Sequence, residues 1–561
     1  MKRNLLFALV IMLSFSACMQ KEHHGVKRPK LVVGLVIDQM RWDYLYRYYD
    51  RYGNDGFKRL LKEGFNCQNT MLNYIPANTA PGHTCIYTGS VPSIHGISGN
   101  NWVDNMTGEP VYCVDDDRVY LVGDATKAPS MSPRNLMTST ITDELRLATN
   151  FRSRVYGIAI KDRGAILPAG HAANGAYWYN DKTGDFVTST YYDTAYQNPA
   201  WLRDFNKRNV ADSLVKLNWT LSDSLKSYTQ STEDDTHYED AFKGESTPVF
   251  PHKFNMMSKA DRLSAVKNMP AGNTLTLEMA KACLAGAEGG KLGSGSDADF
   301  LCVSLSSTDY AGHQFAPNAL EMEDLYLKLD KEIASFLNYL DKEVGKGNYL
   351  LFLTADHGAA HNPLFLKDKK IPAGIAFSIT TDLNNYLQEV YKKAMGGKDI
   401  NLVNSIVNGQ VFLNDTLLAV NKSFNRDEIK STVRNWLLTV MQQRYNVPVS
   451  YVMDMENPDK AAVPEPIHKM AINGYNYLRS GCLQIILNPG WFESDKFSGT
   501  THGAWNPYDT HIPLIWYGWH VKKGETHNTV YMTDISATLA AMLHIQAPNG
   551  CIGNVITDIY P

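Results

Sequence analysis

The sequence predicts an α/β protein with a central, mostly parallel sheet flanked by helices and interrupted by inserted cap segments. Three observations carry this reading. Leu31–Ile37 is an unbroken apolar run ending in Asp38, the pattern of a strand covered on both faces. Similar runs, each leading into polar residues, return at 154–160, 299–306 and 348–354. Stretches of helical periodicity separate them, and such alternation marks parallel strands joined by helices.

Taken in order, helix is expected over 44–62, then a strand at 66–74 and a helix over 136–148. A long helix is expected over 320–344. Strands at 482–487 and 513–517 and a closing helix at 533–543 would bring both ends of the chain into the core. Periodicity weakens over 165–275 and 364–480, which read as insertions or a cap between core segments at 28–164, 276–363 and 481–561. Glu233-Asp234-Asp235, in the first of these, reads as a solvated loop.

The 561 residues, 44% hydrophobic and 20% charged, have ordinary globular composition. With 54 Lys and Arg against 58 Asp and Glu, and no long basic run, the chain has no field to draw a nucleic acid, which argues against that partner. Residues 1–18 read as an export signal, with Lys2 and Arg3, an apolar stretch from Leu5 to Phe15, and Ser16-Ala17-Cys18 at the cleavage position. That stretch is too short to span a bilayer, so the periplasm is the expected compartment. Ser16-Ala17-Cys18 also resembles the end of a bacterial lipobox, with Phe15 where Leu is usual, so a lipid on Cys18 is the one membrane attachment the sequence suggests. The other cysteines are odd in number and include no C-x-x-C pair, so they read chiefly as small buried hydrophobes.

Carboxylates and imidazoles fall at strand ends. Asp38 closes the first strand, Asp309 and His313 come after the strand ending near Ser306, and Asp356 and His357 after the one ending near Thr354. His502 lies in Thr501-His502-Gly503. Open α/β sheets gather ligands outside the carboxyl ends of their strands, so these segments are expected to converge. Singly each has a structural explanation; together they supply the mixture of Asp and His that suits zinc, three protein ligands per ion with one position open. Asn78-Thr79-Ala80-Pro81-Gly82-His83 leads from a strand into a helix and sets the Thr79 hydroxyl where a helix dipole favours anions. Without the metal cluster, Thr79 would read better as a helix cap.

Asp38, the segment Thr79 to His83, Gly99-Asn100, Asp309 with His313, Asp356-His357-Gly358 and Thr501-His502-Gly503 resemble, in order and spacing, the alkaline phosphatase superfamily. The likeness covers nearly the whole mature chain and is greatest to the PafA-type bacterial enzymes, which use a threonine nucleophile and lack a third, magnesium site. It implies a phosphomonoesterase with two zinc ions per chain. Asp309, His313 and His502 would hold one ion and Asp38, Asp356 and His357 the other. Thr79 would contact the second ion and be transiently phosphorylated. Two ions about 3.5 to 4 Å apart can clamp the entering and leaving oxygens of an in-line displacement, and a metal makes an alcohol a competent nucleophile.

The superfamily also contains nucleotide phosphodiesterases and sulfatases, so charge recognition must separate the substrates. A monoester dianion exposes three non-bridging oxygens and calls for more cationic donors than a diester. Lys161-Asp162-Arg163 comes directly after the strand at 154–160. If the strand alternation continues, Lys161 and Arg163 share a face toward the phosphate and Asp162 points away. The resemblance implies that Lys161, Arg163 and Asn100 bind phosphoryl oxygens, and that diesterases lack the Lys and Arg pair. Sulfatases convert a Cys or Ser within C/S-x-P-x-R, whereas Thr79 cannot be converted and no Arg occurs after Pro81 at that spacing.

The expected function is therefore an exported alkaline phosphatase acting on small phosphate monoesters. The alternatives are a phosphodiesterase, nucleotide pyrophosphatase or phosphonate hydrolase of the same superfamily, or a non-catalytic surface module that holds zinc. His83, His95, His361 and His511 read as structural. Tyr177, Trp178, Tyr179, Tyr191, Tyr192 and Tyr196 read mainly as packing of the first insertion, with one or two facing the site.

Overall fold

Seven apolar residues in a row require cover on both faces, and Leu31–Ile37 (β1) is buried at every position. Around it the computed structural model, which describes residues 26–123, 127–193, 197–396 and 398–560, forms a ten-stranded sheet. In chain order the elements that matter for the site are β2 (Phe65–Met71), α1 (Thr79–Thr88), β3 (Val155–Ala159), α2 (Asp162–Ala169), β4 (Gly175–Asn180), β5 (Asp185–Val187) and α3 (Pro270–Gly286). They continue with β6 (Asp299–Leu305), α4 (Ser307–Phe315), α5 (Leu320–Leu340), β7 (Tyr349–Thr354), β8 (Leu514–Gly518), β9 (Gly524–Tyr531) and α6 (Asp534–Leu543). The export segment with Cys18, and Tyr196, lie outside the described residues.

The strands lie in the order β9-β2-β8-β7-β1-β6-β3-β4-β5, with the short His511–Ile512 beside β2. Pairs β7-β1, β1-β6, β6-β3 and β3-β4 are parallel; β8 is antiparallel to both neighbours. The fold is thus the α/β class expected. Ile37 pairs with Leu305, Val36 with Thr354 and Ala159 with Ser304. This register makes the carboxyl ends of β1, β6, β7 and β3 level, and the residues after them emerge along one edge.

Three expectations change. The helix over 44–62 is broken into Tyr44–Arg47, a 3-10 turn at Tyr49–Arg51 and Phe57–Glu63. Asp330 of α5 enters the break and accepts hydrogen bonds from the N–H groups of Gly53 (2.7 Å) and Phe57 (2.8 Å). A Cβ on Gly56 would lie 2.3 Å from the Asp330 carbonyl, so that approach requires glycine. The strand expected at 482–487 forms, as Leu483–Leu487, but in a separate four-stranded sheet with Val403–Val407, Gln410–Leu413 and Val449–Asp454. This sheet and helix Arg426–Tyr445 share their own hydrophobic cluster around Val411, Trp436 and Leu483. Tyr177, Trp178 and Tyr179 belong to β4, so part of the expected insertion extends the central sheet.

None of the described cysteines is paired, and all but Cys551 are buried, as small hydrophobes are. Among the described residues no helix is long and apolar enough to cross a membrane.

Candidate active site

Because four strands end level, Asp38 after β1, Asp309 on α4, Asp356 after β7 and Lys161 after β3 enter one buried space. Asp38, Asp356, His357 and Thr79 are fully buried and Asp309 nearly so. His313 lies one turn beyond Asp309 on α4, with its Nε2 3.3 Å from Asp309 Oδ1, and His502 Nε2 approaches the same oxygen to 3.5 Å. The ligating atoms of Asp309, His313 and His502 fall within 4.8 Å of one another, as do those of Asp38, Asp309 and His357. Asp356 stands beside the second trio, its Oδ2 3.4 Å from His357 Nε2. Asp309 thus borders both groups.

The three imidazoles are oriented alike. His313 Nδ1 bonds to the Thr500 carbonyl (2.8 Å), His357 Nδ1 to that of Gly358 (2.9 Å) and His502 Nδ1 to that of Ala77 (2.8 Å). A carbonyl only accepts, so Nδ1 carries the proton and each Nε2 keeps its lone pair. Burial lowers the pKa of His357 to about 3, with His502 adding to the effect, and burial also lowers that of His502. Their rings stack with centroids 3.6 Å apart, as neutral imidazoles can.

Charge is unbalanced. Three buried carboxylates, Asp38, Asp309 and Asp356, face the single ammonium of Lys161, which stands 2.8 Å from Asp38 Oδ2 and 2.5 Å from Asp309 Oδ2. Burial alone would lower the lysine pKa, but Asp309 and Asp38 hold it above its usual value. Burial and the neighbouring Asp356 push the Asp38 carboxyl well up. Apart from Lys161 beside Asp38 Oδ2 and His83 Nδ1 at 3.2 Å from Asp356 Oδ2, no donor is aimed at either oxygen of Asp38 or at Oδ2 of Asp356. Under-compensated buried carboxylates beside three imidazole lone pairs form a donor set that a divalent cation fits.

Thr79 is the first residue of α1, with Asn78 in the capping position, so its hydroxyl is not used as the cap. That hydroxyl lies 3.2 Å from Lys161 Nζ and 3.4 Å from His357 Nε2. Asn100 accepts from the Ala80 N–H through Oδ1 (2.8 Å), which leaves its amide nitrogen to donate into a cleft of about 360 Å³. His313 and His502 line the same cleft, and Phe377, Ile379, Ile406 and Trp491 give it an apolar wall.

Lys161 and Arg163 do not sit on one strand face. The strand ends at Ala159, Lys161 caps α2, and Arg163 lies in the first turn of that helix. Arg163 Nη1 donates to the Tyr112 hydroxyl (3.0 Å), which binds Asp162, and its Nε is buried without an acceptor. Asp162 therefore supports Arg163 instead of pointing away. Both cations line a neighbouring cleft with Trp178, Tyr179 and Tyr310. Tyr191 and Tyr192 pack on each other.

Two residues were missed. Gln39 donates its N–H to Asp356 Oδ1 (3.1 Å) and its side-chain amide to Asp309 Oδ1 (2.8 Å), and it holds a left-handed φ of 64° to do so. His83, expected to be structural, has Nδ1 2.9 Å from the Thr79 carbonyl and 3.2 Å from Asp356 Oδ2. The spacing of four between Thr79 and His83 on a helix was a usable signal for the latter; nothing in the pattern marked Gln39. His361 bonds to Asn318 and His511 stacks on Trp42, both outside the cluster.

Residues 32–511 match the family model described as type I phosphodiesterase / nucleotide pyrophosphatase. The crystal structure of the alkaline phosphatase PafA superposes with a TM-score of 0.89, covering 96% of this chain and 100% of that one. The chain belongs to the alkaline phosphatase superfamily. Within it, the chain is 45% identical to PafA of Elizabethkingia meningoseptica over 96% of its length and 95% of the relative. It is 50% identical to the alkaline phosphatase PhoV of Synechococcus elongatus, over 95% of this chain and 93% of that one. A relative from Myroides odoratus, 49% identical over 99% of each chain, is named a calcium-transporting ATPase.

Proposed function

We propose that the protein is an alkaline phosphatase that hydrolyses small phosphate monoesters to an alcohol and inorganic phosphate, with Thr79 as nucleophile. The observation that carries this is the Thr79 hydroxyl at the head of α1, within 3.2 Å of an ammonium and 3.4 Å of an imidazole, beside buried carboxylates in need of cations. Names of the relatives agree with it. Asp309, His313 and His502 would hold one zinc ion and Asp38, Asp356 and His357 a second, with Thr79 in contact with the latter. When bound, such ions supply Lewis-acid stabilisation of the oxygens that gain charge in phosphoryl transfer.

The chain's own groups do the rest. Lys161 favours the deprotonated form of Thr79 by charge. Thr79 Oγ1 bonds to phosphorus as the bond to the alcohol oxygen breaks, and water then cleaves the phosphothreonine to release phosphate and restore the hydroxyl. Arg163 Nε, the Asn100 amide and Lys161 are the donors for the three non-bridging oxygens. Gln39 and His83 fix the Asp356 and Asp309 carboxylates in place.

The family model also takes in diesterases. Three donors suit a dianion better than a diester, which has two free oxygens and one charge. The terminal phosphoryl group of a nucleoside triphosphate carries the same three oxygens, so the ATPase name of the Myroides relative is chemically compatible. The leader at 1–18 supports export, and Ser16-Ala17-Cys18 leaves lipidation as the route to a membrane.

Acid quenching during turnover of an aryl phosphate tests the mechanism. Phosphate is expected on the peptide containing Thr79 and absent in Thr79→Ala. Full steady-state rates without any trapped phosphopeptide would refute a covalent path.

A further inference from the structure

With Thr79 as nucleophile, the departing alcohol needs room beside Asn100, His313 and His502. The cleft of about 360 Å³ that these three line continues along Phe377, Ile406 and Trp491. An apolar cavity of ~150 Å³ is enough to hold a benzene ring. Among the described residues lining the cleft none is Lys or Arg, and Glu493 is the one acid. An anionic alcohol part would therefore find no cationic side chain to pair with on this wall.

The wall is tied to the segment that carries the nucleophile. Asn408, in the turn between Val403–Val407 and Gln410–Leu413, holds a left-handed φ of 58°. Its Oδ1 accepts from Asn78 Nδ2 (2.9 Å), one residue before Thr79, and its Nδ2 donates to the Asn101 carbonyl (2.8 Å), one residue after Asn100. Ile406 belongs to the strand that leads into this turn. Trp491 is opposite Gly374 in a parallel pair of short strands, and a Cβ on Gly374 would overlap its ring, so the indole is held in place. Phe377, the residue after the Gly374–Ala376 strand, is 46% exposed at the rim of the cleft. It meets Phe497, 44% exposed, edge to face with centroids 5.6 Å apart. Two half-exposed phenyl rings present apolar edges and faces to a further ring entering the cleft.

We propose that this cleft selects phosphate monoesters whose alcohol part is an uncharged aromatic ring, with Phe377 and Trp491 as the residues that contact it. The inference rests on the phosphatase reading above and adds the class of ester preferred. These side chains meet the carbon part of the ester and not the phosphoryl group, so they act through binding energy gained away from phosphorus. Because Asn408 ties the wall to both flanks of the site, a ring seated there keeps its phosphate in register with Thr79.

Benzyl and methyl phosphate separate binding from reactivity, because their alcohols are of nearly equal acidity and leave phosphorus with similar ease. With the purified zinc-loaded protein, kcat/KM is expected to favour benzyl phosphate by at least about tenfold. Phe377→Ala removes a ring that is half in solvent, so the core stays intact, and it should narrow that ratio several-fold. Trp491→Ala should narrow it likewise. A carboxylate added at the para position of the benzyl group should lower kcat/KM about tenfold. Equal values for benzyl and methyl phosphate, or a ratio unchanged in Phe377→Ala, would overturn the inference alone. Equal values for benzyl and 4-carboxybenzyl phosphate would overturn the selection for an uncharged ring. Hydrolysis of none of these esters would overturn the phosphatase reading itself and this inference with it.

Discussion

At the scale of single residues, Lys161 couples the Thr79 hydroxyl to its surroundings, touching it, Asp38 and Asp309 at once. A charge-assisted contact of this kind is worth roughly 1.5 to 3 kcal/mol, equivalent to about 10 to 100-fold in rate. Lys161→Ala should therefore lower kcat/KM for a monoester by that factor while a matched diester loses less, and equal losses on the two would reject Lys161 as a reader of the dianion. The sequence marked Lys161 and Arg163 as a pair, but for a geometric reason that the fold replaces. The strand stops at Ala159 because α2 begins at Asp162, and Arg163 reaches its place through Tyr112, a partner 51 residues away. No local periodicity contains that contact.

At the scale of elements, the close packing of α1 on the turn after β7 sets Thr79 against His357. A Cβ on Gly82 would lie 2.4 Å from the Asp356 carbonyl, nearer than any real contact, so the two segments can approach only with glycine there. Alanine favours helix intrinsically, so Gly82→Ala should leave α1 helical while forcing it off the Asp356 turn. A displacement of about 1 Å at a reacting group can cost ~10²-fold, and kcat is expected to fall by that order with far-UV circular dichroism unchanged. An undiminished kcat would show that the spacing of these elements is not critical. The strands were legible because burial on both faces writes itself into the sequence, as in Leu31–Ile37. The break at 48–56 was not, because its cause is the Asp330 carboxylate, which arrives from α5. Leu483–Leu487 shows the complementary limit: its composition announces a strand, and which sheet receives it depends on pairing with Val411 and Asp454.

At the scale of the molecule, parallel pairing with level strand ends brings together residues scattered from Asp38 to His502, and the smaller sheet supplies the apolar wall opposite them. The cluster of candidate ligands was legible because Asp and His fall at strand ends and their order resembles a known family. The residues that hold these carboxylates, Gln39 and His83, were not, since hydrogen bonding to a carboxylate leaves little mark on composition. If these buried acids and imidazoles form a cation-dependent site built for phosphate monoesters, activity must depend on the metal and on the ester class together. Turnover of a matched aryl phosphate monoester and diester by the purified protein, before chelation, after it, and with zinc restored, reads both dependences. A preference for the monoester, loss of both activities on chelation and recovery with zinc are expected. Undiminished hydrolysis after the metal is removed, or a preference for the diester, would contradict a site of this kind.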